Sequence, residues 1–106
     1  MDSDNDVKCI KYSDPPYNDV ILCPYCGDGY LHHKRVVIYH RYGEDSKDGL
    51  AVTVTSEGLA TNGDISENPS SRRDGLVIHF ECENCDNTPI LAVSQHKGTT
   101  SLHWIR

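Results

Sequence analysis

Two Cys-x2-Cys pairs, Cys23-Pro24-Tyr25-Cys26 and Cys82-Glu83-Asn84-Cys85, stand in this chain with 55 residues between them. A tight turn of this kind directs both sulfurs toward one point, and two such turns together make a tetrahedron of thiolates. The fold must then bring two distant stretches of chain to one place. Pro24 fixes the backbone entering the first turn, and Gly27 follows its second sulfur directly. Glycine there can take a positive φ, which lets backbone N–H groups approach the sulfurs and offset their charge. The second turn carries Asp86 at the equivalent place, and aspartate tolerates the left-handed region better than most residues.

Four thiolates in tetrahedral array suit zinc or iron. With four protein ligands the coordination sphere is closed, so an ion held there staples the fold and has no open position for substrate. Disulfides are an alternative, but each pair would close a very small ring. A thioredoxin-like redox motif needs a Cys-x2-Cys opening a helix in a βαβ unit, and no such pattern surrounds either pair. A rubredoxin-like iron site stays open on ligand chemistry alone. Cys9 is left over, without an assigned role.

The segment Cys23-Pro24-Tyr25-Cys26-Gly27 resembles the knuckle of zinc-ribbon proteins, with Cys82-Glu83-Asn84-Cys85 as a second knuckle. The resemblance covers the two turns and the strands that flank them. It implies one structural zinc and an antiparallel β scaffold. It says little about biology, because zinc ribbons serve transcription, translation, replication and enzyme domains alike. The spacer is long for a minimal ribbon, and residues 56–75, rich in Gly, Ser, Asn and Asp, read as a long loop that accounts for much of the excess.

Elsewhere the chain reads as nearly all β. Tyr30 to Tyr42 is rich in β-branched and aromatic residues. Leu50–Thr55 and Leu76–Glu81 follow, and Pro89–Gln95 with Thr99–Ile105 make a hairpin. No stretch longer than a turn carries a 3.6-residue period. The expected fold is therefore mostly β, a zinc-ribbon-based antiparallel sheet of about five strands with little or no helix. Residues 1–11 are expected to be a flexible acidic tail, and 12–106 a single domain. Apolar residues make up 37% of the 106, which leaves a thin core. A structural zinc supplies roughly 10–16 kcal/mol of apparent binding free energy, against the ~5–15 kcal/mol stability of a whole domain. Such a core should depend on its metal.

The net charge of −6 argues against holding a nucleic-acid backbone by bulk electrostatics. No apolar run approaches membrane-spanning length. The acidic opening stretch is the reverse of an export signal, so the expectation is a cytoplasmic protein with no membrane contact. A local basic face is a separate matter. Strand alternation puts Arg35, Val37, Tyr39 and Arg41 on one side, and aligned registers would add His79 and His103, with Trp104 a further candidate contact residue. That surface would suit base stacking and phosphate contact; the plainer reading is a solvated strand face. Arg72-Arg73 could clamp a phosphate or carboxylate, or sit in a turn where Asp74 pairs with an arginine. Nothing resembles a nucleophile elbow or a pair of catalytic carboxylates, so the reading leans away from an enzyme. The leading expectation is a zinc-ribbon module that contacts another protein. Alternatives are a nucleic-acid binder using the Arg, Tyr and Trp residues named, and an iron redox protein.

Overall fold

The computed structural model of the chain describes residues 10–14 and 20–105. Cys9 and residues 1–9 of the expected tail lie outside that range. Among the described residues there is no helix, and six strands form one antiparallel sheet. They are β1 (Leu31–Arg41), β2 (Gly49–Thr55), β3 (Gly58–Asn62), β4 (Gly75–Cys82), β5 (Ile90–His96) and β6 (Thr99–Trp104). Their order across the sheet is β3-β2-β1-β4-β5-β6. Two three-stranded meanders are thus joined along β1 and β4.

The sixth strand is β3, inside the stretch expected to be loop. Its sequence, Gly-Leu-Ala-Thr-Asn, has weak strand preference, and every residue in it is exposed. Pairing with β2 decides its state: Val54 stands opposite Leu59 and Val52 opposite Thr61. The remaining connection, residues 63–74, carries the chain from one sheet edge back to β4.

Both sides of β1 carry apolar residues, and a bulge switches its pattern. The register with β4 shifts between His33 and Arg35, leaving Lys34 as the extra residue. Before the bulge, Leu31 and His33 pair with Cys82 and Phe80; after it, Arg35, Val37 and Tyr39 pair with His79, Val77 and Gly75. One strand therefore serves two cores on opposite faces. Val37, Tyr39, Ala51 and Val77 are buried beneath Ile65 of the 63–74 connection, with Ile90 against them. On the other face, Phe80, Leu91 and Trp104 form a second cluster, packed by Ile10, Ile21, Leu31 and Ile78. Phe80 and Trp104 meet edge to face, with ring centroids 5.8 Å apart.

Ile10 and Lys11, expected in the flexible tail, are docked. Ile10 packs on the second cluster, and the Lys11 carbonyl accepts the Leu22 N–H at 2.9 Å. Tyr12 bridges Ile21, so the two segments that carry Ile10 and Ile21 lie against the second cluster.

The 63–74 connection is tied down by Ser70, which is only 1% exposed. Its Oγ donates to the Asp74 carbonyl at 2.6 Å and accepts the Gln95 N–H at 2.9 Å. Its carbonyl accepts Arg41 Nη2 at 2.7 Å, and its N–H donates to Asn68 Oδ1 at 2.9 Å. The connection runs so close to β4 that a Cβ on Gly75 would sit 2.4 Å from Asn68 Oδ1 and 3.0 Å from the Pro69 ring. Only glycine fits there.

Candidate metal centre

Antiparallel pairing of β1 with β4 brings the knuckles together. The first knuckle feeds β1 and the second ends β4, and Leu31 stands directly opposite Cys82. A bond from the Glu83 N–H to the Tyr30 carbonyl, 3.1 Å, closes the junction.

The two turns repeat one geometry. Cys23 N–H donates to the Asp28 carbonyl at 2.7 Å, and Cys82 N–H to the Asn87 carbonyl at 3.0 Å. Gly27 N–H returns to the Cys23 carbonyl at 2.9 Å, and Asp86 N–H to the Cys82 carbonyl at 3.3 Å. Gly27 has φ +81° and Asp86 φ +60°, so the aspartate does take the left-handed conformation its position demands.

All four sulfurs lie within 4.8 Å of one another. Cys23 and Cys85 are 3.8 Å apart, and Cys26 and Cys82 are 3.6 Å apart. A tetrahedron with metal–sulfur bonds of ~2.3 Å has edges of about 3.8 Å, so these separations fit a four-thiolate ion. They far exceed the ~2.05 Å of a disulfide bond, and all four cysteines are free. Among the described residues this is the one group of three or more potential metal-ligating side chains, and no histidine belongs to it. The set could hold a single metal ion.

The surroundings favour sulfur anions unevenly. Tyr25 N–H approaches Cys23 Sγ at 3.4 Å, and Asn87 Nδ2 donates to Cys85 Sγ at 3.2 Å. Asn87, through its side chain and its backbone N–H, draws the Cys85 thiol down to about 7. Burial pushes the Cys23 thiol up to about 12 in the absence of a cation. A divalent ion supplies the charge that reverses this cost. Asn87 was not a candidate from the sequence. Its place two residues after Cys85, matching Asp28 after Cys26, is the signal that points to it.

The expected cationic-aromatic face is arranged differently. Tyr39 and Val37 are buried under the 63–74 connection, and Trp104 is 1% exposed, so neither ring is open for stacking. Alternation groups Arg35, Tyr39 and Arg41 correctly but does not reveal that this side is the covered one. Arg35 and His79 are cross-strand neighbours. Burial, then the Arg35 charge, holds the His79 pKa below its ordinary value. His103 stands opposite Ala92, with β5 between it and His79. Arg41 is occupied, donating to the carbonyls of Ser46 (2.7 Å), Ser70 (2.7 Å) and Arg73 (3.3 Å).

Arg72 and Arg73 pair with acids of the β1–β2 turn. Arg72 holds Asp45 through two nitrogens, and Arg73 holds Glu44. Asp74, the acid expected to pair locally, accepts the Arg41 N–H at 2.8 Å and His40 Nδ1 at 3.0 Å. Compared with known protein families, curated proteins and solved structures, the chain matches none.

Proposed function

We propose that this chain is a metal-stapled β module, a zinc ribbon in kind, whose sheet binds another protein. One structural zinc is held by Cys23, Cys26, Cys82 and Cys85. Zinc is favoured over iron because paired Cys-x2-Cys ligands are its usual structural set. Its chemistry there is cohesion: a closed four-thiolate sphere has no position for water or substrate.

The observation that carries the binding role is an uncovered apolar face. Ile38, Val54, Leu59 and Leu102 keep between 44% and 69% of their surface in the open, all on the side of the sheet that bears Phe80 and Trp104. Contiguous apolar exposure beyond a few hundred Å2 marks an interaction site. The test is affinity capture with metal-loaded wild-type chain and an Ile38→Glu, Leu102→Glu double variant as baits. A polypeptide held by the first and lost from the second supports the role. Identical captures, with both baits folded, would remove it.

A further inference from the structure

The chain has two pairs of adjacent Lys or Arg residues, Lys34-Arg35 and Arg72-Arg73, and the fold treats them differently. Asp45 and Glu44 neutralise the second pair. The first keeps most of its charge. Lys34 meets Glu81 at 3.6 Å, with both side chains more than half exposed, a pairing worth little in water. Arg35 has no ion pair or side-chain hydrogen bond among the described residues. Its charge reaches the ring of His79, its cross-strand neighbour.

This pair sits where the sheet opens a cleft. Pairing of β1 with β2 ends at Val36 and Val54, while β1 runs on to Leu31 against β4. The bulge lies at this point, with Lys34 as its extra residue. A regular strand sends successive side chains to opposite faces. With the bulge, three residues in succession, His33, Lys34 and Arg35, border one cavity of about 360 Å3. Across it stand Thr55 and Ser56, where β2 turns toward β3. Thr55 Oγ1 accepts the Glu57 N–H at 3.2 Å, which leaves its own hydroxyl proton to donate elsewhere. No carboxylate lines the cavity.

We propose that this cleft binds the phosphate group of a small phosphate monoester. A guanidinium forks onto two phosphate oxygens, an ammonium adds a point charge, and the imidazole and hydroxyls supply single donors. The cavity exceeds one phosphate ion and falls at the small end of the ~300–1,000 Å3 typical of ligand sites. Its remaining wall is Val36 and Val54, apolar surface suited to the organic part of an ester. The proposal is independent of the protein-binding reading, whose test residues Ile38 and Leu102 do not border this cavity.

NMR and calorimetric titrations of the full, metal-loaded chain test it, with phenyl phosphate and inorganic phosphate as separate probes. Expected is saturable one-to-one binding of phenyl phosphate at or below about 1 mM, with amide shifts centred on residues 33–36 and 54–56. Inorganic phosphate should bind the same residues more weakly. Arg35→Ala should weaken binding at least ~10-fold, which is about 1.4 kcal/mol, with metal content and β signal unchanged. Thr55→Val, a second variant of near-equal shape, should weaken it as well. Arg72→Ala removes the same charge from the pair that acids already hold and should leave binding as it was. Equal affinity for the two probes overturns the monoester and leaves a site for the ion alone. No saturation tenfold above the expected concentration overturns the proposal, as does equal weakening by Arg35→Ala and Arg72→Ala.

Discussion

The sulfurs of Cys26 and Cys82 lie 3.6 Å apart although 56 positions separate them in the chain. The contact exists because β1 and β4 pair antiparallel at the centre of the sheet, so the knuckle that opens one meets the knuckle that closes the other. Sheet and site are therefore one construction: the pairing assembles the ligands, and an ion would lock the pairing.

Removing one sulfur should undo both. Cys82→Ser leaves three thiolates beside a buried hydroxyl, and apparent metal binding of ~10–16 kcal/mol is the same size as the stability of a small domain. The expected result is loss of bound metal together with loss of the β signal in circular dichroism. A Cys82→Ser chain that keeps its sheet after dialysis against chelator would contradict the dependence.

The two positive-φ positions of the knuckles, Gly27 and Asp86, should respond with opposite sign. Gly27→Ala meets no atom within 4 Å, so its cost is backbone conformation alone, about 1 kcal/mol at φ +81°. Asp86→Gly relieves a similar strain but loosens the unfolded chain, and should be neutral to stabilising by up to ~0.5 kcal/mol. Urea midpoints at saturating metal check the pair. A loss at Asp86→Gly as large as that at Gly27→Ala would show that the Asp86 side chain has a role beyond its backbone.

Ser70→Ala strips the buried hydroxyl that joins the Asp74 carbonyl to the Gln95 N–H. Leaving those groups without a partner should cost ~1–3 kcal/mol, whereas Ser71→Ala, exposed next door, should cost almost nothing. Thermal melts of the two variants side by side decide this, and equal melting temperatures would count against Ser70 as the anchor of the connection.

Acid should weaken the fold through His79 as well as through the thiolates. Burial and the nearby Arg35 hold its folded pKa below 6.5. Above pH 6.5 both states are neutral there and His79 has no effect. As pH falls below 6.5, the unfolded chain takes up a proton that the folded chain resists, so stability declines until the folded pKa is reached. His79→Gln should flatten that decline between about pH 6.5 and the folded value. Melts of both proteins across this window, at equal metal content, isolate the difference. Parallel pH profiles would exclude His79 as a contributor.

Much of this was legible in the sequence because its signals are local. The Cys-x2-Cys spacing, Gly27 and the left-handed tolerance of Asp86 are properties of short turns, and the structure repeats them in both knuckles. The β-rich runs are likewise local, and five of the six strands follow from them. What sequence could not supply is which side of β1 is covered. Val36 and Ile38 on one face are as apolar as Val37 and Tyr39 on the other, and only Ile65, a residue within the long connection, distinguishes them. The bulge at Lys34 has no signature of its own, yet it sends Leu31 and Tyr39 to opposite cores. β3 was hidden for the same reason, since a short exposed strand is made by its neighbour more than by its own residues. The acids that hold Arg72 and Arg73 were hidden, with Asp74 the nearer candidate, because Asp45 and Glu44 lie 27 or more positions away.

The most direct test is native mass spectrometry of the purified chain with elemental analysis, followed by chelation. The expected result is one zinc per chain, no visible absorbance, and collapse of the β signal when the metal is withdrawn. A chain that is fully folded without metal, or whose four cysteines are joined as disulfides, would contradict the metal-stapled fold.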